Sequence, residues 1–196
     1  MLFGFKRIHV GVYDEAETKV IEKMTWEDKA GGAVRFNLTG LAPEQLKVYA
    51  SNGPVWVQRK GTGDVKADLE VFNIPEADLN KVLGLDVEGQ EAWMGAYTQA
   101  PYIAVICETE DINGNPILVA LPKGTATLDN LQMETLEEKP KPPENDKLSI
   151  SFVNAEIDGK DRICGKYVAT SKEDAGIAAF VNKILVGYTG EALPIG

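Results

Sequence analysis

The sequence predicts a mainly β fold: an antiparallel β-sandwich or open barrel, flanked by a short helix at about 75–84 and a C-terminal helix at about 171–187. Three observations predict it. From Lys47 to Leu85 the chain reads strand, Asn-Gly turn, strand, Gly-rich turn, strand and short helix. From 101 to 121 two β-prone runs flank a turn at Asp111–Asn115. Nineteen glycines and ten prolines punctuate 196 residues, as a series of short strands requires.

The strand at 65–71 is the clearest. Val65, Ala67, Leu69 and Val71 alternate with Lys66, Asp68 and Glu70. This two-residue period puts the apolar set on one face and the charges on the other. Pro75 suits a first helical turn, because the amide it lacks has no partner there. Leu79, Val82 and Leu83 form that helix's apolar stripe, and Gly84 can supply a left-handed stop.

In chain order, Ile8 to Tyr13 reads as a strand. Residues 14–31 are charged, although Thr18 to Trp26 alternates loosely enough to be another strand, and AGGA at 30–33 is a turn. Ala33 to Thr39 places Val34, Phe36 and Leu38 on one face and Arg35 and Asn37 on the other. Pro43-Glu44-Gln45 fits one helical turn. Residues 86–100 form a loop or edge segment carrying Trp93 and Met94. Pro101 to Thr109 is almost continuously apolar, the mark of a central strand covered on both faces, and Pro116 to Leu121 is its hairpin partner.

Gly124 to Glu137 predicts a long strand whose apolar side switches near Asp129-Asn130, which calls for a bulge. KPKPPEND at 139–146 is a proline-rich linker or loop tip. Leu148, Ile150 and Phe152 alternate in the strand that returns from it. Asp158-Gly159 turns the chain into a final hairpin with Arg162 to Thr170. The C-terminal helix takes Ser171 as N-cap and Asp174 at the capping-box position. Ile177, Phe180, Val181, Ile184, Leu185 and Tyr188 share one of its faces.

With 44% hydrophobic residues the chain can bury one substantial core. One domain is expected over 1–196, with extended loops or arms near 14–31, 47–64 and 139–146. Lys6-Arg7 interrupts the apolar Met1–Phe5, so no signal-peptide core is expected. No run approaches the roughly 20 apolar residues of a membrane span. Cys107 and Cys164 lie in strand-like runs and read as buried thiols. Twenty basic against thirty acidic residues give a net charge of −10, contrary to a surface built to grip nucleic acid.

Catalytic and metal-binding patterns are missing. His9 is the single histidine, so a thiol–imidazole pair with Cys107 or Cys164 would depend on it, and nothing beside either cysteine would activate a thiol. CxxC, HExxH, phosphate-loop and dinucleotide motifs are absent. Acidic clusters at Asp14-Glu15-Glu17, Glu108-Glu110-Asp111 and Glu134-Glu137-Glu138 read as solvated faces. Trp26, Trp56 and Trp93 could stack on sugars or pack in a core or interface. No catalytic residue, metal or cofactor is expected.

Several stretches resemble the major tail (tail tube) proteins of long-tailed bacteriophages of Gram-positive bacteria, over about Gly32 to Thr170. The carriers are Val48-Tyr49-Ala50-Ser51-Asn52-Gly53, Gly61 to Val71 leading to Ile74-Pro75-Glu76, and Lys81-Val82-Leu83-Gly84-Leu85. Pro101-Tyr102-Ile103-Ala104 with its Gly-Asn-Pro turn, Gly124-Thr125-Ala126-Thr127 and the Asp-Gly hairpin at 158 also fit. The first 30 and last 25 residues fit that pattern poorly.

The resemblance implies a virion protein, assembled in the host cytoplasm, that forms hexameric rings stacked into a conduit for DNA ejection. Its implied partners are further copies of itself, the tape measure, tail terminator and distal tail proteins, and DNA that passes without specific binding. Some relatives add a C-terminal immunoglobulin-like domain, which is not expected here.

Trp56 and Val57 beside Arg59 and Lys60, together with Lys139, Pro140, Pro142 and Pro143, are the candidates for contacts between subunits or rings. Asp64, Asp68, Glu70, Asp129 and Glu134 are the candidates for a lumen-facing acidic wall. Two rivals remain open: a β-sandwich module binding carbohydrate or protein through Trp56 or Trp93, and a hydrolase with paired carboxylates.

Overall fold

A computed structural model describes residues 2–43, 46–57, 60–128, 130–131, 144–190 and 193–195, the side chains of Phe3, Trp56 and Val57 excepted. The chain is mainly β. Its large sheet is antiparallel and takes strands from the whole length: β1 (Phe3–Tyr13), β2 (Val20–Trp26), β3 (Ala33–Thr39), β6 (Lys66–Val71), β9 (Ile103–Glu110), β10 (Pro116–Thr127), β11 (Asp146–Phe152) and β14 (Gly165–Val168). The path runs β2-β1-β9-β10-β11-β6-β3, and β14 pairs with the first half of β10. Three two-stranded hairpins stand apart: β4 (Lys47–Ala50) with β5 (Gly53–Val57), β7 (Asp86–Glu88) with β8 (Glu91–Trp93), and β12 (Ala155–Ile157) with β13 (Lys160–Arg162). The helices are α1 (Glu76–Leu83) and α2 (Ala175–Ile184).

The large sheet curls like an open barrel. Phe36 of β3 approaches Phe5 of β1, with ring centroids 6.4 Å apart, although the two strands are not neighbours in the hydrogen-bonded path. Inside the curl lie Ile8, Val10, Trp26, Leu69, Val105, Leu121, Leu148 and Ile150, all essentially inaccessible. Val82 and Leu83 of α1 close this core from one side.

A second core forms on the opposite face, where Ile177, Val181, Ile184 and Leu185 cover Ala104, Ile106, Leu118 and Ala120. β9 is therefore buried on both faces, as its apolar run from Ile103 to Cys107 requires. Gly11 permits the close approach of α2's end, since a Cβ there would lie 2.7 Å from Leu185 Cδ2.

Several local expectations are met. The apolar face of 65–71 is buried, and Val65, Ala67, Leu69 and Val71 are at most 1% exposed. Pro75 precedes α1, and Gly84 caps it in the left-handed region at φ +65°. The strands at 124–127 and 149–152 pair directly.

Other expectations need correction. Val34 does not share the inward face of Phe36 and Leu38. A bulge between Ala33 and Arg35 turns it outward and gives its place to Ala33. The strand at Gly124 is the end of β10 rather than a new one, and its apolar side switches at the irregularity between Leu121 and Gly124, while the bulge expected near Asp129-Asn130 lies largely outside the described residues. Asp158-Gly159 closes only the small β12–β13 hairpin, while β14 crosses to pair with β10.

The C-terminal helix starts at Ala175, not Ser171, because Asp174 is its N-cap. The Asp174 carboxylate accepts from Gly176 N at 2.9 Å and from Thr170 N at 2.9 Å, which closes 170–174 as a turn. The helical turn expected at Pro43-Glu44-Gln45 and the strand beyond Asn130 lie largely outside the described residues.

Candidate functional site

The outward face of β6 carries two of the sequence's acidic candidates, Asp68 and Glu70, and a third, Asp64, precedes the strand. Its neighbours β3 and β11 bring Arg35, Asn37, Lys147 and Ser149 to the same side. Asp68 is exposed and sits opposite Ser149 and Asn37. Glu70 is half-buried and accepts from Asn145 Nδ2 at 2.9 Å. Asp64, just before the strand, pairs with Lys66 at 2.6 Å and holds that ammonium above its ordinary range by their hydrogen bond. The three carboxylates thus differ: Asp64 is matched by a cation, Glu70 is partly occupied, and Asp68 faces water.

Asp68 and Glu70 border a trough that Glu76, Glu144 and Asp146 also line. Among the described residues, no group of three or more His, Cys, Asp or Glu is placed to hold a metal ion. Asp129 and Glu134 lie outside the described residues.

The second surface is the β4–β5 hairpin. Ser51 and Asn52 both adopt positive φ, at 51° and 66°, so the tight turn lies one residue earlier than the Asn-Gly pair predicts. All four residues of β4 are exposed, with Tyr49 at 66% and Val55 of β5 at 63%. Trp56 pairs with Val48 through the backbone, and Lys60 is exposed. The Trp56 and Val57 side chains, and all of Arg59, Lys139, Pro140, Pro142 and Pro143, lie outside the described residues. The third surface is β7–β8 and the turn after it, where Trp93, Met94 and Tyr97 are 58%, 61% and 100% exposed.

The sequence reading missed one feature. Glu108, assigned there to a solvated face, is fully buried, as is His9. Glu108 Oε2 lies 3.4 Å from Arg7 Nε and 3.7 Å from His9 Nε2. His9 Nδ1 meets Thr25 Oγ1 at 3.0 Å, and Arg7 also reaches Glu27 at 3.2 Å and the Pro194 carbonyl. A buried carboxylate needs a partnered cation, since an unpaired charge is expensive to bury. The signal was present: Glu108 interrupts the apolar run of a central strand, and Arg7 and His9 occur on one face of the strand that pairs with it.

These surfaces belong to a sheet with hairpins outside it. The family model described as phage tail tube protein matches residues 2–192. The chain belongs to the phage tail tube protein family. The match includes most of the terminal segments that fit the resemblance poorly by eye. No curated protein matches the chain.

A tail tube protein is a structural component of the phage tail and not an enzyme. The family therefore removes the hydrolase reading of the carboxylates. The thiols agree: Cys107 is buried, and burial pushes both it and Cys164 up, away from the reactive thiolate. Within this tail tube protein the Arg7–His9–Glu108 cluster is a structural tie between β1 and β9. Trp26 is core, 1% exposed, with its indole N–H donating to Asp78 Oδ2 at 2.9 Å.

Proposed function

We propose that residues 1–196 act as one tail tube subunit of a long-tailed phage of a Gram-positive host. Copies join as hexameric rings, and the rings stack into the conduit for DNA ejection. The observation that carries this reading is the pair of ends of the large sheet's path: among the described residues, β2 and β3 each pair with a strand on one side only. Edges of this kind template pairing with another chain, and a heterologous contact whose rotation closes makes a ring.

In this reading the outward carboxylates of β6 contribute to the acidic wall, with Asp68 the strongest candidate, and Asp129 and Glu134 extend it. Such a wall repels the DNA backbone over about the 8 Å screening length of physiological salt, so the polymer slides without sticking. The β4–β5 arm, with Trp56, Val57, Arg59 and Lys60, and the 139–143 segment contact neighbouring subunits or rings. The tape measure, tail terminator and distal tail proteins are the partners at the tube's core and ends.

Light scattering and negative-stain microscopy of purified protein at rising concentration test the reading. Rings and tubes support it. A strict monomer that binds glycans would instead favour a carbohydrate-binding module built on the exposed Trp93.

A further inference from the structure

We propose that the β4–β5 arm of one copy docks on the β7–β8 hairpin of a second copy, and that charge sets the pairing. The inference rests on the tube reading and names the two surfaces that meet. Residues 46–63 carry Lys47, Arg59 and Lys60 and no acidic residue, in a chain whose net charge is −10. Residues 86–99 carry Asp86, Glu88 and Glu91 and no basic residue. Two segments of one chain thus hold three charges each, of opposite sign, beside exposed apolar side chains.

β4, β7 and β8 are exposed throughout, as are Pro54 and Val55 of β5, and an isolated two-stranded hairpin is marginal in water. β7–β8 has a further problem. Glu88 and Glu91 are cross-strand partners, so two carboxylates stand directly opposite each other. Like charges in that position destabilise a hairpin, and a cation from outside relieves it. Trp93 and Met94 beside them offer an apolar seat for Tyr49 and Val55 of the incoming arm. Aromatic and aliphatic anchors framed by a charged rim are the usual anatomy of such contacts.

Placement makes the contact intermolecular. The chain enters the arm at the Thr39/Lys66 end of the β3–β6 pair. It reaches β7–β8 only after leaving the other end of β6, at Val71, and passing through α1. Arm and seat are therefore attached to opposite ends of one strand pair. A contact between different surfaces of identical copies is heterologous and repeats without self-limitation along the stack.

Charge reversal tests the pairing. Lys47→Glu with Lys60→Glu should lower tube yield at least about tenfold, because like charges then meet across the contact. Glu88→Lys with Glu91→Lys should do the same. Both pairs combined in one chain should restore tubes, because every contact regains opposite signs. Circular dichroism of each variant should match the parent, since the altered side chains lie on exposed hairpins.

Tubes that ignore both double reversals, or a combined variant that stays unassembled while folded, would overturn the pairing and leave the tube reading intact. A parent protein that forms no tubes or rings at any concentration would overturn both.

Discussion

Replacing Trp26 tests the link between the β2 edge and the helix that closes the core. The indole is 1% exposed and donates to Asp78 on α1 at 2.9 Å. Trp26→Phe keeps an aromatic ring but removes the donor and one ring of buried surface. A hydrogen bond to a charged acceptor is worth about 1.5–3 kcal/mol net. Asp78 is half-buried and can regain water, which favours the lower end. The lost ring adds about 1 kcal/mol at ~25 cal/mol per Å². The total is about 2–3 kcal/mol, or about 5–10 °C in melting temperature for a chain of this size.

Urea unfolding of unassembled protein measures it, and a cycle with Asp78→Ala isolates the pair. A coupling of about 1–2 kcal/mol is expected. A loss under ~0.5 kcal/mol for Trp26→Phe, with no coupling, would refute the view that this bond ties β2 to α1.

Four further outcomes are expected. Gly84→Ala should cost more than about 2 kcal/mol in the same assay, because a side chain at φ +65° is strained and its Cβ would fall 2.1 Å from the Gln99 carbonyl oxygen. Gly95→Ala, with open space around it, should stay within ~0.5 kcal/mol. Asp174 is held down from 3.8 to about 2 by backbone hydrogen bonds from Thr170 and Gly176 and by the Tyr167 hydroxyl. Its stabilisation of the α2 start is thus complete above about pH 4 and disappears as pH falls towards 2. Asp174→Asn should flatten the acid limb of a circular-dichroism titration in that window, and an unchanged limb would contradict the capping role. Asp68→Lys with Glu70→Lys should give folded subunits and normal tails but slower DNA ejection at low salt, recovering at high salt. Normal ejection at both would remove these residues from the channel wall.

The sequence carried the fold wherever burial followed a simple period. Val65 to Val71 and Leu148 to Phe152 were legible because each residue's face is set by alternation, and the doubly buried Ile103–Thr109 because its run is almost continuously apolar. Legibility failed where one extra residue shifts the register, as at Val34 and between Leu121 and Gly124, since a bulge leaves no unique local composition. It failed for β14 because pairing with β10 is a long-range choice. Asp174 displaced Ser171 as the cap because its carboxylate gathers donors from Thr170, Gly176 and Tyr167 at once.

For the candidate surfaces, the exposed Asp68 and the β4–β5 hairpin were readable from alternation and turn chemistry. The pairing of Asp64 with Lys66 depends on side-chain geometry, and the burial of Glu108, signalled by its place in an apolar run, also depends on pairing with β1, far away in sequence.

The most direct measurement is a cryo-electron microscopy reconstruction of the assembled protein at a resolution that traces β6. A tube subunit should give stacked sixfold rings around an open channel, with the sheet edges at β2 and β3 covered by neighbouring copies. Particles with no channel, or monomers with both edges bare at high concentration, would contradict it.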